Sequence, residues 1–111
     1  MTEELTIEKL MELMPKAFQP EKAGDLEADI LFNLQGDGGG DWILHVHGGE
    51  ASVEQGTTEG ARLTLIAEAD DFLKLITGEL NAMTAFAQGK VKLKGDLSLA
   101  MKLMDFFKLP S

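Results

Sequence analysis

Residues 28–47, ADILFNLQGDGGGDWILHVH, set the architecture of this chain. Ala28, Ile30, Phe32 and Leu34 alternate with Asp29, Asn33 and Gln35, and only Leu31 interrupts the polar side, so the period of two predicts a half-buried strand. Gly36 to Gly40 then supplies a hairpin turn, after which Trp42, Leu44 and Val46 share one face of a second strand while His45 and His47 share the other. Gly48 and Gly49 close that strand, Ala51 and Val53 suggest a short third one, and residues 56–60 form a polar loop. Residues 62–69 bring Leu63, Leu65 and Ala67 to one side of a fourth strand, and the four together read as an antiparallel meander.

Upstream, Ile7, Leu10, Met11, Met14 and Phe18 recur every three to four residues, with Thr6 able to cap and Leu5 able to staple onto Leu10. This predicts an amphipathic helix. Pro15 lacks an amide hydrogen and clashes with the carbonyl of Met11, so the regular helix is expected to end near Leu13, with a further turn at Pro20. Downstream, Asp70 can cap a helix through Ile76 ahead of Gly78, and Asn81 one through Gln88 ahead of Gly89. Lys90, Lys92 and Lys94 alternate with Val91 and Leu93 in a one-sided strand that stops at Gly95. Asp96 caps a last helix to about Phe107, with Pro110 beyond it, and the element order becomes αββββααβα.

At 111 residues, with 44% hydrophobic and 26% charged side chains, the chain is the size and composition of one self-folding domain, residues 1–111. Cysteine is absent, which excludes disulfides, thiolate zinc sites, iron–sulfur clusters and cysteine nucleophiles. No apolar leader or membrane-length apolar run is present, so an intracellular, cytoplasmic protein is expected. The net charge of −9 opposes nucleic acid and anionic membranes as general partners. It is unevenly spread: residues 1–60 carry thirteen acids and three bases, residues 61–111 six acids and seven bases. Seven of the Met and Phe residues (Phe72, Met83, Phe86, Met101, Met104, Phe106 and Phe107) also fall after residue 71.

The last helix is more apolar than one buried stripe requires. Nine of the thirteen residues 97–109 are apolar: Leu97, Ala100, Met101 and Met104 make one face, and Leu99, Leu103 and Phe106 a second beside it. Deep burial of a helix over a one-layer sheet would account for this, as would a homodimer. So would an apolar cavity, since methionines adapt to varied shapes and phenylalanines form large apolar walls. A lipid is its natural occupant: burying about 15 methylenes at about 0.8 kcal/mol each gives about 12 kcal/mol before ordering costs.

Residues 70–104, DDFLKLITGELNAMTAFAQGKVKLKGDLSLAMKLM, resemble the sterol carrier protein 2 domain family. Asp71-Phe72, Thr77-Gly78, Leu80-Asn81, Ala85-Phe86, Gly89-Lys90, Lys92, Lys94-Gly95-Asp96 and Ala100-Met101-Lys102-Leu103 carry the resemblance. Met14-Pro15, Phe18, Pro20-Glu21-Lys22-Ala23 and the Gly-rich strands extend it to about residues 5–109. It implies an α/β (α+β) fold, a five-stranded, mostly antiparallel sheet covered on one face by helices. It also implies a tunnel for sterols, fatty acids, acyl-CoA or other lipids, in carriers rather than catalysts. Met83, Ser98 and Met101 match tunnel-lining positions, with Ile76, Phe86, Ala87 and Met104 as neighbours and Phe32, Trp42 and Leu44 on the facing strands. Two departures stand out: Ala82 follows Asn81 where the family often has Pro, and Lys108-Leu109-Pro110-Ser111 is no peroxisomal tripeptide.

Other constellations are weaker. His45 and His47 share a strand face and could take a divalent metal if Asp29 or Glu54 completed the set, but neither histidine matches the family motif and a solvated face is the simpler reading. No metal or cofactor is therefore expected. Residues 36–41 lack the Lys-Ser/Thr of a phosphate-binding loop and the spacing of a calcium loop. Lys90, Lys92 and Lys94 could meet lipid headgroups or acyl-CoA phosphates, though a solvated strand face is the simpler account and no aromatics interleave for nucleic acid. With serine only at 52, 98 and 111, a serine hydrolase lacks support. The expected function is lipid binding and transfer, with transient membrane contact or a homodimer allowed. The alternative is a dimerisation module using Leu103, Phe106 and Phe107, and a metal-dependent enzyme using His45 and His47 ranks third.

Overall fold

The computed structural model describes residues 6–77 and 79–103. The staple from Leu5, the terminating Gly78, and Met104, Phe106, Phe107, Leu109 and Pro110 of the expected last helix lie outside the described residues, as do the side chains of Ala82 and Leu103. The alternation at residues 28–35 builds strand β1 (Ala28–Gln35), with Ala28, Ile30, Phe32 and Leu34 all buried. The glycine hairpin returns the chain as β2 (Gly40–His47), antiparallel, with Phe32 opposite Trp42, Ile30 opposite Leu44 and Asp29 opposite His45. Strand β3 (Glu50–Gln55) adds to the outer edge of β2, placing Val53 beside Leu44 and Ser52 beside His45.

The meander stops there. Strand β4 (Leu63–Glu68) does not follow β3 but crosses to the free edge of β1 and runs parallel to it, giving the order β3-β2-β1-β4-β5 in a five-stranded mixed sheet. A parallel pair needs a long crossover, and here the β2–β3 hairpin supplies it. The parallel register sets Leu63, Leu65 and Ala67 beside Ile30, Phe32 and Leu34, so the apolar sets of the two most buried strands merge on one face. Alternation reports which face a residue takes, not which strand is its neighbour. Strand β5 (Val91–Gly95) closes the sheet antiparallel to β4.

Helix α1 (Ile7–Ala17) starts at Thr6, whose hydroxyl accepts the Lys9 N–H at 3.2 Å, and runs through Pro15 instead of ending near Leu13. The lost backbone bond, about 3 kcal/mol in a helix interior, is offset by what the extra turn packs: Met14 is buried, and Ala17 and Phe18 rest on the core. Pro20 opens a four-residue helix, α2 (Pro20–Ala23), where only a turn was expected. Helix α3 (Ala69–Thr77) leaves β4 directly, one residue before the expected cap, with Asp70 and Asp71 in its first turn, where acids favour the helix dipole. Asn81 caps α4 (Ala82–Ala87), its Oδ1 accepting the N–H groups of Met83 and Thr84 at 2.9 and 3.1 Å. Asp96 does the same for α5 (Leu97–Leu103), accepting from Leu99 at 3.1 Å. Gly95, at φ +104°, precedes it; a Cβ there would strike the Arg62 carbonyl that accepts the Asp96 N–H.

Helices α1, α3, α4 and α5 all bury side chains in one cluster on the face carrying Phe32, Leu44 and Leu63. Phe32 and Phe72 meet there with ring centroids 5.3 Å apart and planes tilted by 52°. The opposite face carries Asp29, Asn33, Asp41, His45, Glu54, Lys92 and Lys94 and is not part of that cluster. Among the described residues no helix is long and apolar enough to cross a membrane.

Candidate functional site

The side chains expected to line a tunnel divide into two sets. Phe32, Leu44 and Ile76 are buried in the core, and Trp42 packs half-buried against it. Met83, Phe86, Ala87, Ser98 and Met101 are exposed, while Met104 lies outside the described residues. The exposure is large for apolar groups: 76% for Met83, 51% for Phe86 and 81% for Met101, with Leu97 beside them in α5 at 53%. Helix α4 rests on β5 and α5 on β4 and β5, so both helices lie at the β5 side of the sheet.

Among the described side chains each helix buries one small or aliphatic residue in the core and leaves bulkier ones out. In α4 the packed residue is Ala85; in α5 it is Leu99, with Ala100 half-buried next to it. Among the described residues of α5, Leu99 is buried and Ala100 packs beside it, while Leu97 and Met101 are exposed. Ser98 sits elsewhere, in a cleft of about 210 Å³ with Lys22, Arg62, Asp96 and Lys102, where Arg62 Nε pairs with Asp96 Oδ2 at 3.2 Å. Among the described residues the indole Nε1 of Trp42 is buried without a hydrogen-bond partner. Trp42 lies between Phe32 and Gln55 in the strand register.

On the open face the histidines are engaged rather than merely solvated. Because β1 and β2 pair in register, Asp29 falls directly opposite His45, and its Oδ1 is 2.7 Å from His45 Nδ1 and 3.0 Å from His47 Nε2. His45 Nε2 meets Glu54 Oε1 at 2.9 Å, and His47 Nδ1 lies 3.7 Å from Glu27 Oε1. The hydrogen bond to Glu54, then that to Asp29, raise the pKa of His45 against the opposing effect of burial. Burial pushes the Asp29 carboxyl up, but the hydrogen bonds from His47 and His45 outweigh it and hold its pKa below the ordinary value. Hairpin counting from Gly36–Gly40 is the sequence signal that sets Asp29 opposite His45. Glu27 gives no such signal.

The chain is 31% identical over 98 residues to hydroxysteroid dehydrogenase-like protein 2 of Homo sapiens, covering 87% of this chain and 23% of that one. It is 41% identical over 64 residues to sterol carrier protein 2 of Homo sapiens, covering 58% of this chain and 12% of that one. It thus spans under a quarter of these relatives. The solution structure of palmitated SCP2L2 from Aedes aegypti superimposes with a TM-score of 0.75 at 25% identity, covering 91% of this chain and 93% of that one. The model of the SCP-2 sterol transfer family matches residues 7–108, and the chain belongs to that family.

Proposed function

We propose that the protein takes up a single lipid against α4 and α5, at the β5 side of the sheet, and releases it unchanged. Membership of the SCP-2 sterol transfer family supports lipid binding in general. The observation that carries the location is the outward Met83, Phe86, Leu97 and Met101, on two helices whose cores are otherwise satisfied. Exposed apolar side chains of this size are costly in water, and a ligand that covers them gains about 25 cal/mol for each Å² buried. Methionine suits the task because its unbranched, polarizable chain adapts to a sterol or an acyl chain alike. Lys90, just ahead of β5, and Lys92 and Lys94, on the open face of that edge strand, are exposed and support brief contact with a lipid surface during exchange.

Carriage rather than catalysis fits these side chains: the exposed groups on α4 and α5 are thioethers, a phenyl ring and an alkyl group, none of which transfers protons or acts as a nucleophile. The experiment is native mass spectrometry of the protein purified from cells, followed by uptake of a fluorescent fatty acid. A co-purifying lipid and loss of uptake in Met101→Asp are expected. An empty, stable dimer would overturn the carrier reading, and undiminished uptake by Met101→Asp would remove α5 from the site.

A further inference from the structure

The geometry points to a second site, on the open face of the sheet: a divalent transition-metal site of the zinc class made by Asp29, His45 and His47. One ligand atom from each of these three residues lies within 4.8 Å of the others. The two separations that involve Asp29 Oδ1 are 2.7 and 3.0 Å. Zinc bonds of about 2.0–2.1 Å place neighbouring ligands of a tetrahedral ion about 3.3 Å apart, so the two pairs that include Asp29 Oδ1 need to part by about 0.3–0.6 Å, while the two histidine nitrogens, within 4.8 Å of each other, settle to the same spacing.

The other ring nitrogens make the arrangement more than a chance meeting of polar groups. A metal-bound imidazole donates its second N–H to a carboxylate, which fixes its orientation and tautomer. With Nδ1 of His45 on the ion, Nε2–H of His45 is already aimed at Glu54 Oε1, 2.9 Å away. With Nε2 of His47 on the ion, Nδ1–H of His47 faces Glu27 Oε1 at 3.7 Å. Each of the four ring nitrogens thus has a carboxylate partner or a metal position, and the roles do not conflict. The ligands sit on rigid elements, Asp29 in the central strand β1 and both histidines in β2, and their register is fixed by the backbone pairing of Asp29 with His45.

Two further features suit a cation. Glu27, Glu50 and Glu54 surround the ligands, in the half of the chain that carries thirteen acids to three bases. A cavity of about 520 Å³, bounded by Pro15, Phe18, Glu50 and Ser52 as well as both histidines, opens beside the site. That leaves the ion's remaining coordination positions to water or a small anionic ligand. Two nitrogen donors and one oxygen donor select zinc, cobalt, nickel or copper over magnesium and calcium, which prefer all-oxygen sites.

The test uses tag-free protein stripped with EDTA and titrated with zinc chloride in a non-coordinating buffer, with the histidine ring nitrogens followed by NMR. One equivalent is expected to bind, shifting Nδ1 of His45 and Nε2 of His47, and magnesium in excess is expected not to compete. Asp29→Asn, which keeps the shape and a hydrogen-bond acceptor, should weaken zinc at least tenfold. Glu54→Gln should weaken it about tenfold, the low end for a residue that orients a ligand. Retained strand signals in the same spectra show that the variants fold. Absence of stoichiometric binding, unchanged affinity in the His45→Ala/His47→Ala double variant, or attachment through Nε2 of His45 would each overturn the site.

Discussion

Helix α1 and the pair α4–α5 are built from similar apolar material, yet the structure uses it in opposite ways. Met11 and Met14 of α1 are 2% exposed, whereas Met83 of α4 and Met101 of α5 are 76% and 81% exposed. Helix α1 is amphipathic in the ordinary sense, one stripe on the sheet and Glu8, Glu12 and Lys16 in water. In α4 and α5 the stripe that meets the core holds Ala85 and Leu99, and the larger side chains face out. One end of the sheet is therefore closed by the chain itself. Among the described residues the other leaves large apolar side chains in water, which is why the proposed lipid site is placed there.

The sharpest way to break that division is to shorten the same residue type in both places. Met14→Ala should cost about 2–5 kcal/mol by urea unfolding, because it leaves a cavity in a packed core. Met101→Ala should stay within about 0.5 kcal/mol of the parent, as substitutions of exposed side chains do. Equal losses would mean that Met101 packs into the core as deeply as Met14. Between these extremes lies Asn81→Ala, which removes the acceptor for two N–H groups at the start of α4. A loss of about 1 kcal/mol is expected, with lipid uptake falling more than stability does if α4 frames the ligand. A variant that loses stability but takes up lipid normally would place the ligand elsewhere.

Much of this was legible from residues alone. The alternation of Ala28 to Leu34 identified β1 and its buried face, because period two is dictated by strand geometry. Asn81 and Asp96 announced their helices, because a cap is a local hydrogen bond. What local pattern cannot carry is a non-local choice. Nothing in Leu63, Leu65 and Ala67 says that they will lie parallel to β1 rather than beside β3. Pro15 likewise reads as a helix end until the burial of Met14 is weighed against the lost hydrogen bond. The match to family positions covers Met83, Ser98 and Met101, and it does not say that these side chains would be exposed while Phe32 and Leu44 are buried in the core. The two apolar faces read in residues 97–109 are tested only at Leu97, Leu99, Ala100 and Met101, of which Leu99 is buried and Leu97 and Met101 are exposed.

The smallest expected effect probes the open face, which lies across the sheet from the core residues that α4 and α5 pack against. In metal-free protein the pKa of His45 is raised, first by Glu54 and then by Asp29, so its contribution to stability is fully present below the unfolded value near 6.5 and is lost as pH rises through the higher folded value. Asp29 has the opposite sign: its depressed pKa gives a contribution present above 3.8 that is lost as pH falls through the lower folded value. The cluster should therefore stabilise most between these two limits. Glu54→Gln should move the His45 midpoint down in an NMR titration and narrow the gap in melting temperature from the parent as pH rises from 5.5 to 8.5. Because Glu54 is well exposed, added salt should shrink the effect. Lipid uptake should follow neither pH nor the substitution across that range. A parallel change in uptake would show that the open face reaches α4 and α5 through the sheet, and the division between a closed end and a binding end would then have to include the histidine cluster.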